Sequence, residues 1–254
     1  MAMNADIITA AVLVIGDEIL SGRTKDKNVG FIADYLTQLG IDLKEVRVVS
    51  DDEAAIVEAV NALRKRWTYV FTTGGIGPTH DDITADSVAA AFGVGIDHDA
   101  RAMAILEAHY AKMPNAEFND ARKRMARIPF GADLIENKVS SAPGFRLENV
   151  HVMAGVPSVM QAMMDAIAPT LKGGRHMISL TIDSGLGEGI VAGPLADVQK
   201  AHPSVVIGSY PYIRGDIFGT NSVMRSRDQS KLDTAASAIE AMLADLKTQQ
   251  QAQF

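Results

Sequence analysis

Residues 72–84 read Thr72-Thr73-Gly74-Gly75-Ile76-Gly77-Pro78-Thr79-His80-Asp81-Asp82-Ile83-Thr84, and this stretch decides the fold. An apolar run of strand length, 69–73, leads into it, and a segment of helical period follows. A strand that turns through bare glycines into a helix is the junction at which an open α/β sheet holds its ligand. Glycines lack Cβ, so main-chain N–H groups can approach a phosphate, and the next helix start adds positive potential. Asp81 and Asp82 change the chemistry. Two carboxylates repel a phosphate unless a divalent cation lies between them, so the loop reads as a phosphate site that is also a metal site.

Working outward, strand-like runs at 11–16, 42–49 and 69–73 alternate with helical runs at 27–40 and 54–66, the pattern of a parallel sheet covered by helices. The first helix carries Val29, Ile32, Ala33, Leu36 and Leu39 on one stripe, with Gly40 past its end. Ser50 and Glu53 have the spacing of a capping box for the second. Helices are predicted at 84–92, 100–112 (stopped near Pro114) and 119–127, with no strands between them. Strands are predicted at 133–135 and 150–153. Pro157 opens a helix through 171 from the early position that proline favours, and Met160, Met163 and Met164 at helical spacing fill the core.

The breaker run Lys172-Gly173-Gly174 marks a boundary where the rhythm changes. Beyond it a strand at 177–182, a helix at 189–200, strands at 205–210 and 218–224 and a helix at 231–246 make a small α+β unit. The reading is therefore an α/β domain over 1–173, a second domain over 174–247 and a polar tail, 248–254, that should fray and be flexible.

The chain has 254 residues, 47% of them apolar and 22% charged, enough for a sizeable core. A formal net charge of -7 argues against nucleic acid or a membrane surface as partner. There are no cysteines, which excludes disulfides, thiolate metal sites and cysteine nucleophiles and suits a cytoplasmic location. The apolar start at 7–15 has no basic leader and is too short to span a bilayer, so it reads as the first strand.

If the strands run parallel, three further segments meet the glycine loop at one sheet edge. They are Gly16-Asp17-Glu18-Ile19-Leu20, Ser50-Asp51-Asp52 and Gly155-Val156-Pro157-Ser158. Together they offer Asp17, Glu18, Asp51, Asp81 and Asp82 beside two helix starts, a set able to hold Mg²⁺ through carboxylates, waters and substrate phosphates. In that reading Asp17, Asp81 and Asp82 hold the metal, and Asp51 and Asp82 are the catalytic acids. Gly16, Asp17 and Glu18 line the ligand site from one side, Thr73, Gly74, Gly75, Gly77, Pro78 and Thr79 from the centre, and Gly155, Pro157 and Ser158 from the other.

The segments IGDEILSGRTKDKN, TTGGIGPTHDDIT, NKVSSAPGF and AGVPSVM resemble the molybdopterin-binding domain family (MoaB/Mog-like). Their order and spacing are most similar to the amino-terminal part of CinA-type proteins and to the corresponding domain of FAD synthases. The resemblance covers roughly residues 7–173, and the small domain resembles the one that follows in those proteins. It implies a three-layer Rossmann-like sandwich that binds a phosphorylated pterin or nucleotide. It also implies a divalent metal, with Mg²⁺ expected and Mn²⁺ or Co²⁺ as alternatives, in members that hydrolyse nucleotide pyrophosphates such as ADP-ribose or FAD. Asp82 matches the motif aspartate before Ile83-Thr84, and Asp51 the acid after the second strand. Relatives suggest a homo-oligomer, with a dimer expected here. His80 stands where many CinA-like chains carry Glu, and Ala154 where many have Pro. Neither nicotinamide-nucleotide deamidation nor FAD synthesis is expected, because the sequence contains no segment resembling the amidohydrolase or adenylyltransferase domain.

Each residue also has a plainer role. Asp82 and Thr84 can simply cap the next helix, Asp51 can favour a helix dipole, and His80 can be a hydrogen-bonded loop histidine. Ser140 and Ser141, ahead of Pro143-Gly144, either donate to the ligand or serve a turn. Arg122, Lys123, Arg124 and Arg127 read as a solvated basic face, with a phosphate clamp as the minority reading. A dinucleotide oxidoreductase is disfavoured because His80 occupies the last glycine position of its fingerprint, and a P-loop is excluded because no lysine and hydroxyl follow the glycines. Two functions remain: a metal-dependent nucleotide pyrophosphatase, and a module that binds molybdopterin without turnover in molybdenum-cofactor handling.

Overall fold

A computed structural model of the protein describes residues 7–113, 116–215 and 217–251, which form two compact units, 1–174 and 175–254. In the first unit the strands are β1 (Ile8–Ile15), β2 (Ile41–Val49), β3 (Tyr69–Thr73), β4 (Ile96–His98), β5 (Arg127–Pro129), β6 (Asp133–Ile135), β7 (Gly144–Leu147) and β8 (Val150–Met153). The helices are α1 (Asp17–Leu20), α2 (Asn28–Gln38), α3 (Glu53–Arg66), α4 (Thr84–Phe92), α5 (Ala100–Tyr110), α6 (Asp120–Lys123) and α7 (Pro157–Ile167). Six strands form one sheet in the order β2-β1-β3-β8-β7-β6, parallel from β2 to β8 and antiparallel at β7 and β6.

The central strand explains the layers. On β1, Ala11, Leu13 and Ile15 pack with Ile56, Val60 and Leu63 of α3, Val88 of α4 and Leu106 of α5. Their neighbours Ala10, Val12 and Val14 pack with Ile32 and Leu36 of α2 and with Met160, Met163 and Met164 of α7. Alternate side chains of a strand point to opposite faces, so one apolar strand serves two cores and the unit is a three-layer α/β/α sandwich. The three methionines are fully buried, as the spacing predicts.

Five local expectations are corrected. The stretch after α4 does contain strands: β4 and β5 pair antiparallel as a separate two-stranded ribbon. Each has only three residues, too few for a period to show. The helix expected over 119–127 shortens to α6, tightens into a 3₁₀ turn at Arg124–Ala126 and leaves as β5, because Arg127 and Ile128 are drawn into pairing with His98 and Asp97. The capping box is absent: Asp52 is the N-cap of α3 and its side chain accepts from Ala55 N–H at 2.9 Å, so Ser50 and Glu53 have no capping role. The segment Asp17–Leu20, for which no helix was expected, is a single helical turn, and Gly144–Leu147, not predicted, is a strand. The stop assigned to Pro114 lies outside the described residues, and α5 itself ends at Tyr110.

The second unit is a three-stranded antiparallel sheet in the order β10-β11-β9, formed by β9 (Ile178–Asp183), β10 (Val206–Arg214) and β11 (Ile217–Ser226). Helices α8 (Glu188–Ala201) and α9 (Gln229–Gln251) enclose a core of Val191, Leu195, Met224, Leu232 and Ile239. Of the tail expected to fray, 248–254, residues 248–251 continue α9 to Gln251, since Gln is a good helix former and nothing in that run breaks a helix, while 252–254 lie outside the described residues.

Candidate functional site

β1 has β2 on one side and β3 on the other, and their connections run over opposite faces. The crevice between the ends of β1 and β3 is therefore the switch point of the sheet, where main-chain groups are left unpaired and a ligand can reach them. Gly16 follows β1 and Gly74 follows β3, side by side. Gly74 has φ +105°, and a Cβ there would lie 2.1 Å from the Ile15 carbonyl oxygen, so only glycine fits. Its N–H donates to the Met153 carbonyl at 3.1 Å, and a Cβ on Gly155 would meet the Gly74 Cα at 3.2 Å. Three strand ends are thus locked together by bare backbone.

Thr84, fully buried at the start of α4, closes the loop from below: its Oγ1 donates to the Gly74 carbonyl and its N–H to the Gly75 carbonyl, each at 3.0 Å. Thr84 staples the loop, and neither it nor Asp82 caps α4 by a side chain. Asp82 Oδ2 accepts from Thr79 N–H at 2.8 Å and Thr79 Oγ1 at 2.5 Å, so this carboxylate braces the exposed Pro78-Thr79-His80 turn from within. A Cβ on Gly77 would lie 2.6 Å from the same oxygen.

A groove of about 220 Å³ runs beside Gly74 and is lined by Ile15, Glu18, Thr73, Gly155 and Pro157 together with residues 24–28. Asn28, 5% exposed at the start of α2, donates from Nδ2 to the Gly155 carbonyl at 2.8 Å, while its Oδ1 and the Thr73 hydroxyl are buried with no protein partner. Buried polar atoms without partners are costly, so their presence along a groove marks where a ligand supplies the missing bonds. Asp26 accepts from Val29 N–H at 2.9 Å and fixes the start of α2. Sequence reasoning passed over Asn28, although its signal lay inside the IGDEILSGRTKDKN segment.

Of the acids expected at the site, Glu18 lines this groove, and Asp17, next to it in the chain, binds Asp51. Asp51 Oδ2 accepts from Asp17 N–H at 3.0 Å. Burial raises the Asp51 carboxyl above its ordinary range against the pull of that N–H, and the charges of Asp17, Glu18 and Asp81 raise it further. Asp81 moves the other way, held low chiefly by the Thr79 hydroxyl, then by its own backbone N–H, with His80 adding a little. Asp82 belongs to neither group, since its carboxylate faces Thr79. Among the described residues no three acidic or histidine side chains are placed to hold one ion, so Asp17, Asp81 and Asp82 do not form the cage expected of them. Their strand ends converge, yet Asp82 is turned into its own turn.

Ser140 and Ser141 take the turn role. Asn137 holds Ser140 through Nδ2 to Oγ at 2.6 Å, and Ser141, in the left-handed region at φ +61°, shares a 2.9 Å hydrogen bond with His109 Nδ1. Neither lines the groove. Ser158 sits exposed in the first turn of α7, whose Pro157 occupies the predicted early position. On the far side of the glycine loop, Gly75, Gly77, Asp82 and Pro143 share a narrow slot with Asp86, Arg124 and Arg127. The basic cluster thus comes to the loop, a proximity that helical periodicity did not reveal.

Residues 11–173 match the family described as "Probable molybdopterin binding domain", and residues 176–252 match "FAD synthase, middle domain". A protein of Archaeoglobus fulgidus is 32% identical and aligns with 92% of this chain and 97% of its own length. A "Probable FAD synthase" of Caenorhabditis elegans is 30% identical over 93% of this chain, and a "CinA-like protein" of Gemmatimonas aurantiaca is 31% identical over 93%. The chain spans only 50% of the former and 57% of the latter. Among solved structures, CinA from Thermoplasma acidophilum, whose function is given as unknown, superposes at TM-score 0.60 with 33% identity over 65% of this chain and 99% of its own. No helix among the described residues is long and apolar enough to cross a membrane. A switch-point groove walled by Gly74 and Gly155, on a sheet and sequence shared with these relatives, places the chain in the molybdopterin-binding domain family, with a FAD-synthase-type middle segment following.

Proposed function

We propose that the protein binds a phosphorylated pterin or nucleotide in the Gly74–Gly155 groove and hydrolyses the phosphoanhydride of a nucleotide pyrophosphate of the ADP-ribose or FAD type. One observation carries this reading: an acid with a raised pKa, Asp51, stands beside the groove with one oxygen engaged by Asp17 N–H. Its other oxygen has no protein partner among the described residues. A carboxylate that gains from accepting a proton suits a base for an attacking water. The bare glycine backbone lets phosphate approach the loop closely, the buried Asn28 Oδ1 and Thr73 hydroxyl, which lack protein partners, orient the ligand, and the water's proton passes to Asp51 as the nucleoside monophosphate leaves.

The acids fit a divalent metal only in a site completed by the ligand's own oxygens, which is how Mg²⁺ is commonly bound. Asp17 and Asp81 are the residues assigned to it, with Mg²⁺ ahead of Mn²⁺ or Co²⁺. Such an ion would supply charge neutralisation on the pyrophosphate. Incubation of the purified protein with ADP-ribose and FAD, with and without each metal, tests the reading through metal-dependent AMP release that is lost in Asp51→Asn. The same assay on Asp82→Ala separates a catalytic Asp82 from one that only braces the loop.

The second reading, a module that binds molybdopterin without turnover, is favoured by the lack of a three-ligand cage among the described residues. Tight pterin binding with no AMP release from any pyrophosphate would select it. A homodimer and a cytoplasmic location complete the proposal, the first checked by light scattering.

A further inference from the structure

The basic segment that runs from α6 into β5 is pinned and partly enclosed, unlike a solvated face. Arg122 is taken up locally, donating to the Glu117 carbonyl and lying over the Tyr110 ring at 4.4 Å. Arg127 grips Asp86 with both Nη atoms, at 2.7 and 2.9 Å. Arg124 is different. It donates from Nη2 to the Asp82 carbonyl at 3.1 Å and reaches Asp86 only at 3.7 Å, while its Nε is buried with no partner. Lys123 pairs with the fully exposed Asp120 at 3.0 Å. A cavity of about 260 Å³ lies among His98, Asp120, Lys123, Arg124 and Arg127.

Around that cavity the cations Lys123, Arg124 and Arg127 stand among three carboxylates, Asp120 in its lining and Asp86 and Asp97 beside it, and of the three cations only Arg124 lacks a close ion pair to Asp86, Asp97 or Asp120. A guanidinium fork fixed by the Asp82 carbonyl, without a close carboxylate of its own and with one donor unsatisfied, beside a lysine in the same cavity, is chemistry that recognises a tetrahedral oxyanion. We propose that this cavity is a phosphate-class oxyanion site, distinct from the Gly74–Gly155 groove, with Arg124 and Lys123 as its principal donors. Because Arg124 also holds the Asp82 carbonyl, an anion here bears on the turn that Asp82 and Thr79 brace. Phosphate released at the loop and a phosphorylated arm of the ligand have the same chemistry and are both admitted.

The test is calorimetric titration of the full chain with inorganic pyrophosphate, without added metal, using Arg124→Gln, Arg124→Lys, Lys123→Gln and, as an exposed control on the second unit, Lys200→Gln. Pyrophosphate should bind the native protein, weaken about tenfold in Arg124→Gln, weaken less in Arg124→Lys and Lys123→Gln, and keep its affinity in Lys200→Gln. Thermal melting shows whether Arg124→Gln is folded; if it is not, Arg124→Lys and Lys123→Gln decide. No binding to the native protein, unchanged affinity in the folded cavity variants, or an equal loss in Lys200→Gln overturns the proposal. Pyrophosphatase activity is a separate outcome: its absence leaves this titration intact, and its presence does not rescue a cavity that fails to bind.

Discussion

His151→Phe tests how a buried imidazole ties the stability of the first unit to pH. His151 lies on β8, 2% exposed, stacked on Phe71 at 5.1 Å and edge-on to Tyr69 at 5.8 Å, with Nδ1 buried and unpartnered. Burial first, and then the Arg146 charge, lower its pKa from 6.5 to about 4. The folded state therefore holds the ring neutral in a range where the unfolded chain protonates it. The unfolded state binds more protons between the two pKa values, so stability is full above the unfolded value and falls as pH drops toward the folded one. From about pH 7.5 to about pH 5 the loss attributable to His151 is about 2 kcal/mol, at roughly 1.4 kcal/mol per pKa unit. Asp51 acts in the opposite direction, because a carboxyl whose folded pKa is raised gains stability as pH falls through it. Urea unfolding of the native protein and of His151→Phe at matched pH values removes every shared group from the difference. The native curve should fall more steeply than the variant's by about 2 kcal/mol over that interval. Parallel curves would show that His151 is charged or hydrogen-bonded when folded, and the premise of a dry, neutral ring would be wrong.

The remaining expectations are local. Gly74→Ala adds a Cβ 2.1 Å from the Ile15 carbonyl oxygen at a positive φ and should destabilise the chain by about 3 kcal/mol or more, read as a fall in the urea midpoint. Asp52→Ala should cost about 1 kcal/mol through loss of the α3 cap, while Ser50→Ala stays within about 0.5 kcal/mol; equal effects would restore the capping box. Thr84→Val strips the Gly74 carbonyl of its buried donor and should lower stability by about 1–3 kcal/mol, with groove affinity falling as the loop loosens. If Asp51 is the proton acceptor, AMP release should fall as pH drops through its raised pKa. A profile with no such limb, or one kept in Asp51→Asn, removes Asp51 from the reaction.

The chain order of apolar strands and amphipathic helices, the glycine run after β3 and the proline at the head of α7 were all legible in the residues. Each rests on local physics: side-chain periodicity, the conformational freedom of glycine and the fixed φ of proline. The ribbon of β4 and β5 was not legible, because three residues carry no period and their pairing joins positions about 30 residues apart. The acids show the same division. Sequence alone led to the expectation that Asp17, Asp51, Asp81 and Asp82 follow strands whose ends meet on one edge if those strands are parallel, and the parallel pairing of β2, β1 and β3 bears out that premise. Only the tertiary structure decided that Asp51 turns to Asp17, that Asp82 turns back to Thr79, and that Arg124 comes to the loop from a segment 42 residues away. Position along the chain determines which edge a residue reaches. The hydrogen bonds that satisfy each side chain, set by neighbours from other segments, determine which way it points once there.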